Sequence, residues 1–105
     1  MIARFFTHLG ITMIKHNSYC DNNVQSLGFA TADKPASVGV MAPGEYRFGT
    51  EAAERMEVIS GALTVLLPGQ TEWQTFADGQ GFDVPGNNHF DLKVAVNTAY
   101  LCIYG

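Results

Sequence analysis

Gly44-Glu-Tyr-Arg-Phe-Gly-Thr-Glu-Ala-Ala-Glu-Arg-Met-Glu-Val-Ile-Ser-Gly61, read together with Gly79-Gln-Gly-Phe-Asp-Val-Pro-Gly-Asn-Asn-His-Phe90, decides the fold. In both stretches apolar and polar residues alternate between glycine or proline punctuation, which is the period of a half-buried strand. Alternation puts Glu54, Met56 and Val58 on one face and Arg55, Glu57 and Ile59 on the other. Phe90, Leu92 and Val94 likewise alternate with His89, Asp91 and Lys93. The apolar faces are expected to line an interior.

The same rhythm extends outward. Lys34-Pro35, Pro43-Gly44, Ser60-Gly61, Pro68-Gly69, Asp78-Gly79 and Pro85-Gly86 mark turns. Between and around them lie β-favouring runs: Ser26 to Ala30, Ser37 to Met41, Glu45 to Phe48, Arg55 to Ile59, Ala62 to Leu67, Glu72 to Phe76, Gly81 to Val84, Asn88 to Ala95 and Ala99 to Tyr104. At least about eight strands of ordinary length fit. Only Thr50 to Met56 strings helix formers together, and it is too short to stand alone, so a turn is expected there. With no repeat, heptad or Gly-rich phosphate loop in the chain, Rossmann and P-loop architectures have no starting point. Short antiparallel strands with tight turns close as a jelly roll, which leaves few free edges.

A length of 105 residues fits one domain, and 47% hydrophobic against 15% charged residues is the balance of a compact fold. A net charge of −4 with six scattered basic residues argues against a nucleic-acid polymer as partner, which requires clustered cations. A small anion such as phosphate needs only one or two basic groups and some backbone amides. The opening segment Met1 to Ile14 is interrupted by Thr7, His8 and Thr12, so neither a signal peptide nor a membrane span is expected. Cys20 and Cys102 are too few for a disulfide framework; the expectation is a reducing cytoplasm, with Cys102 a buried thiol.

Gly44, Glu54 and Gly61 stand in register with the first motif of the cupins, and Gly79 and Pro85 with the second, so the chain resembles a cupin: all-β, one domain, a double-stranded β-helix or jelly-roll barrel. The metal ligands are missing. The two histidine positions of the first motif hold Phe48 and Thr50, or Arg47 and Gly49 if the spacer is one longer, and the second motif has Asn87 for its glycine and Phe90 for its histidine. His89 is one place early, a shift that turns it to the opposite face. With His8 and His16 far upstream, Glu54 alone remains of the usual set, whereas a transition-metal centre wants three or four converging ligands. No metal and no cofactor are expected.

A more specific likeness lies in Ala36-Ser-Val-Gly-Val-Met41, Gly44-Glu-Tyr-Arg-Phe48, Met56-Glu-Val-Ile-Ser-Gly-Ala-Leu63, Val65-Leu-Leu-Pro68, Trp73-Gln74, Val84-Pro-Gly86 and Tyr100-Leu-Cys102. These segments closely resemble the small single-domain pyrimidine/purine nucleoside phosphorylases, over about Met13 to Gly105. Residues 1–12 then read as an N-terminal extension and 13–105 as the cupin domain. The resemblance implies phosphorolysis of purine and pyrimidine nucleosides, with broad base tolerance, to free base and pentose 1-phosphate. Its partners would be a nucleoside and inorganic phosphate as co-substrate.

Such a reaction needs a phosphate pocket, groups that fix the ribose, and surroundings that favour an oxocarbenium-like sugar. Glu54 is the residue expected to act, since a carboxylate accepts bonds from two hydroxyls and its charge steadies a developing cation. A solvated carboxylate at the barrel rim is the alternative. Ser37, Tyr46, Arg47 and Thr50 lie on or beside strands expected to meet at the same mouth and suit phosphate. Phe48, Met56, Phe90 and Tyr100 offer an apolar wall for a base, or simply core, and His89 and Asp91 are further binding candidates. Some relatives carry arginine where this chain has Pro35 and Ile103, so phosphate must here be held otherwise. Trp73 is expected at a sheet edge or subunit contact, and a two-fold homodimer is the expected assembly. The same barrel also suits a second reading, a non-catalytic binder of a small metabolite or carbohydrate.

Overall fold

Turn chemistry accounts for most of the chain reversals. Gly61, the last glycine of the first motif, has φ +105°, and a Cβ there would sit 2.5 Å from Thr98 Oγ1, so neither the backbone nor the space admits a side chain. Where the second motif lacks its glycine, Asn87 takes φ +53°, the left-handed conformation that asparagine tolerates better than most residues.

The computed structural model describes residues 7–8, 11–12 and 14–105. Its strands are β1 (Thr7–His8), β2 (Ile11–Thr12), β3 (Lys15–Tyr19), β4 (Val24–Ala30), β5 (Pro35–Met41), β6 (Gly44–Thr50), β7 (Glu54–Ser60), β8 (Ala62–Leu66), β9 (Gln74–Ala77), β10 (Gly81–Val84), β11 (Asn88–Val94) and β12 (Thr98–Tyr104). Among the described residues there is no helix, so none long and apolar enough to cross a membrane. All nine anticipated runs are strands, with ends shifted by a residue or two. β3 was not anticipated. The expected extension, residues 1–12, lies largely outside the described residues; within it β1 pairs with β2.

Six strands in the order β10-β7-β12-β5-β4-β3 form one antiparallel sheet, and β6-β11-β8-β9 form the other. Their facing sides enclose one core that includes Val24, Met41, Phe48, Met56, Leu63, Val65, Phe90, Leu92 and Tyr100. β7 shows the expected alternation, with Glu54, Met56 and Val58 buried. β11 buries Phe90, Leu92 and Val94 and leaves His89 and Lys93 exposed. Residues 51–53 turn without helix, as anticipated, and they fix the start of β7: Glu51 O accepts from Asn87 N at 3.0 Å and Ala53 O from Gly105 N at 2.8 Å.

Candidate functional site

The two walls of the interior differ in chemistry. On the six-stranded sheet, cross-strand partners on the inner side run Val84–Glu54–Tyr104, then Phe82–Met56–Cys102–Ser37–Gly28, then Val58–Tyr100–Gly39–Ser26–Asn17. Hydroxyl, thiol, carboxylate and amide groups are therefore gathered on one wall. The four-stranded sheet contributes an apolar one: Phe48 lies opposite Phe90 with ring centroids 6.0 Å apart, and Phe82 from the other sheet meets Phe90 at 6.1 Å.

Glu54, at the first position of β7, is 3% exposed and accepts a hydrogen bond from Cys102 Sγ at 3.3 Å. Burial raises its pKa above the ordinary carboxylate value, and the thiol hydrogen bond partly offsets this. The thiol in turn is pushed up, first by burial and then by the Glu54 charge, which keeps it a protonated donor. Tyr104, the cross-strand partner of Glu54, is also raised, chiefly by burial and then by Cys102, and its hydroxyl shares a 2.9 Å hydrogen bond with Ser37 Oγ. Ser37, Tyr104, Cys102 and Glu54 thus form a run of polar groups along the inner wall. A cavity of about 510 Å³ opens at the Glu54 end, bordered by Lys34, Glu54, Arg55, Asp83, Pro85 and Gly105. Its basic residues are engaged: Arg55 reaches Asp83 at 3.2 Å, and Lys34 Nζ donates to Gly105 O at 2.8 Å.

Of the residues singled out in the sequence, Glu54, Ser37, Met56 and Tyr100 come together on this wall, with Phe48, Thr50 and Phe90 facing them. Thr50 Oγ1 donates to Pro85 O at 2.7 Å and accepts from Asn88 N at 3.1 Å, so it ties β6 to the β10–β11 turn. The Tyr46 hydroxyl donates to Ala42 O at 2.6 Å. Arg47, Asp91 and His89 are not brought to the interior. Arg47 and Asp91 are cross-strand partners on the outer side, joined by two hydrogen bonds of 2.6 and 3.1 Å, and His89 is exposed on that same side. The guanidinium beside Asp91 holds its carboxyl below the usual range. Trp73 sits just before β9, with Lys93 Nζ 4.2 Å from its ring centre.

Phe48, Thr50 and Phe90 occupy the inner positions at which cupin histidines would converge, so register is kept and ligating chemistry is not. Among the described residues no three His, Cys, Asp or Glu side chains gather as a metal would require, and these residues do not fit one. Sequence reasoning missed Tyr104 as a site residue and took Cys102 only as a buried thiol. The signal was present in the period-two series Tyr100, Cys102, Tyr104, which continues the inner face of β12.

The profile of the pyrimidine/purine nucleoside phosphorylase family matches residues 14–104. A pyrimidine/purine nucleoside phosphorylase of Shewanella pealeana is 66% identical over 93 residues, which are 89% of this chain and 100% of the relative. A crystal structure of a Vibrio parahaemolyticus protein of unknown function superposes with a TM-score of 0.86 at 53% identity, covering 89% of this chain and 99% of that one. A cupin superfamily protein of Desulfitobacterium hafniense, 13% identical with a TM-score of 0.65 over 84% of this chain and 82% of its own, shares the fold. With a match across nearly its whole length and the cupin frame behind it, the chain belongs to the pyrimidine/purine nucleoside phosphorylase family.

Proposed function

We infer that this chain cleaves purine and pyrimidine nucleosides by phosphorolysis, uridine and guanosine among them. The C1′–N bond breaks with its electron pair going to the base nitrogen, which takes up the proton that the hydrogen phosphate gives up. A phosphate oxygen forms the new bond to C1′, so the products are free base and pentose 1-phosphate. Phosphate is co-substrate and no metal or other cofactor takes part. Membership of the family carries this reading, and the buried carboxylate gives it a mechanism. Glu54 accepts hydrogen bonds from the ribose hydroxyls, and its charge, poorly screened at 3% exposure, favours the cationic sugar of the transition state.

The enzyme works in the cytoplasm, a compartment that suits its two free cysteines. It works there as a homodimer. Leu27, Val38, Val40 and Ile59 support this assembly, because they leave an apolar patch exposed on the outer side of the six-stranded sheet. Light scattering on the purified protein tests it, a monomer at assay concentration being the contrary result.

Purified protein incubated with uridine or adenosine, with and without phosphate, tests the reaction. Free base and pentose 1-phosphate are expected only when phosphate is present. Base released at the same rate without phosphate would make it a hydrolase, and no base in either case would leave a binding protein.

A further inference from the structure

Asn17 Nδ2, Tyr19 OH and Ser26 Oγ are shielded from solvent and make no hydrogen bond of ordinary length, the Ser26 hydroxyl standing close enough to bear on those of Tyr19 and Tyr100. They belong to one patch. Asn17 is the cross-strand partner of Ser26, and Tyr19 is the next inner residue along β3. Ser26, 3% exposed, lies opposite Gly39 on β5, and Gly39 lies opposite Tyr100 on β12. A Cβ on Gly39 would stand 2.6 Å from the Tyr100 hydroxyl oxygen and 2.7 Å from Cζ, so the absent side chain lets that phenol lie across the sheet toward Ser26. Buried polar groups are nearly always paired with protein, water or ligand, because leaving them unpaired costs free energy. Three in one patch, on the wall that carries Glu54, mark a place built for a polar partner.

The Glu54 charge is felt at the patch. Tyr19 has its pKa raised by burial first and by the Glu54 charge second, and Ser26 beside it offsets this only in part. Among the described residues β3 is an edge strand, paired with β4, and Tyr19 is its last residue. The turn that follows holds Cys20, Asp21 and Asn22 in succession at φ +54°, +54° and +67°, a left-handed run that stores strain at the rim of the patch.

We propose that Asn17, Tyr19 and Ser26 hold the base of the nucleoside by its hydrogen-bonding edge, while Glu54 holds the sugar. This rests on the phosphorolysis reading. An amide NH₂ donates, whereas a hydroxyl rotates to donate or to accept. Two rotors and one donor can meet the carbonyl oxygens, ring nitrogens and N–H groups of purine and pyrimidine edges alike. Breadth of base choice then follows from rotatable hydroxyls instead of a fixed donor pattern.

The test uses Tyr19→Phe and Ser26→Ala in the full chain. Equilibrium binding of uridine and of inosine without phosphate, kcat/KM for both nucleosides with phosphate, and Tm of the free protein are measured. Each variant is expected to bind about 5- to 30-fold more weakly, by unequal factors for the two nucleosides, with KM for phosphate unchanged. Tm should hold or rise, since an unpaired buried hydroxyl has been removed. Unchanged binding of both nucleosides overturns the assignment. So does an equal loss for both with a fall in Tm, which marks hydroxyls that hold a structural water. If the wild type binds nucleosides at this patch without cleaving them, phosphorolysis fails and the subsite stands; if it binds neither uridine nor inosine, the subsite falls as well.

Discussion

Replacing Glu54 with glutamine keeps the shape and removes the charge, and its consequence can be sized from burial. An anion about 4 Å from the cationic sugar is worth about 1 kcal/mol in water, but about 4 kcal/mol at the effective dielectric of about 20 that suits a site in protein. A side chain at 3% exposure belongs to the second regime. Converted to rate, loss of the charge is expected to lower kcat/KM by about 10³-fold, against about 5-fold for a solvated rim carboxylate. Stability should move the other way. Because burial raises the Glu54 pKa, the folded state binds that proton more tightly than the unfolded chain does. The contribution to stability is therefore full below the unfolded carboxyl pKa and is lost as pH rises through the folded one. Glutamine abolishes this slope, so at pH 7 the variant should melt no lower than wild type. Steady-state kinetics with uridine and phosphate, paired with calorimetric melting at pH 5 and pH 7, decide the matter. A variant that folds normally and keeps a fifth or more of wild-type kcat/KM refutes the role given to Glu54.

Substitutions at three further positions separate the inner wall from its surroundings. Cys102→Ala removes the thiol that donates to Glu54 at 3.3 Å, so the acid limb of the kcat/KM profile should move to higher pH, while Cys102→Ser, which restores a donor, should move it less or not at all. Asp91→Asn breaks the outer pair with Arg47 and should leave kcat/KM unchanged. Since Arg47 lowers the Asp91 pKa, the stability the pair gives is present above the ordinary aspartate range and lost as pH falls, so wild type and variant should converge in Tm under acid. Cys20→Gly relieves a non-glycine residue at φ +54° and should stabilise by about 0.5–1 kcal/mol, seen as a Tm higher by about 4 °C.

Why the apolar half of this barrel could be read in the sequence and much of the polar half could not has one physical origin. Strands such as β7 and β11 announce themselves because one side is apolar and the other polar: Met56 and Val58 against Arg55 and Glu57, Phe90 and Leu92 against Asp91 and Lys93. Glu54 could be placed because it continues such a series; the same parity sets His89 and Asp91 on the opposite side, yet they and Arg47 were expected to bind substrate, and the structure puts all three outside. β3 carries Lys15, Asn17 and Tyr19 on the inward positions and His16 and Ser18 on the others, so polar residues fill both sides and the period-two signal vanishes. What holds β3 in place is its backbone pairing with β4, from Lys15↔Gly28 to Tyr19↔Val24, and that is invisible in composition. The strand most easily missed by a hydrophobic pattern is the one whose inner face is polar, and in a barrel built to hold a sugar and a heterocycle that face is where recognition chemistry has to stand. The proposed base subsite accordingly stands on a polar edge strand and not at the motif positions vacated by histidines, which here have been filled by Phe48 and Phe90 and absorbed into the core.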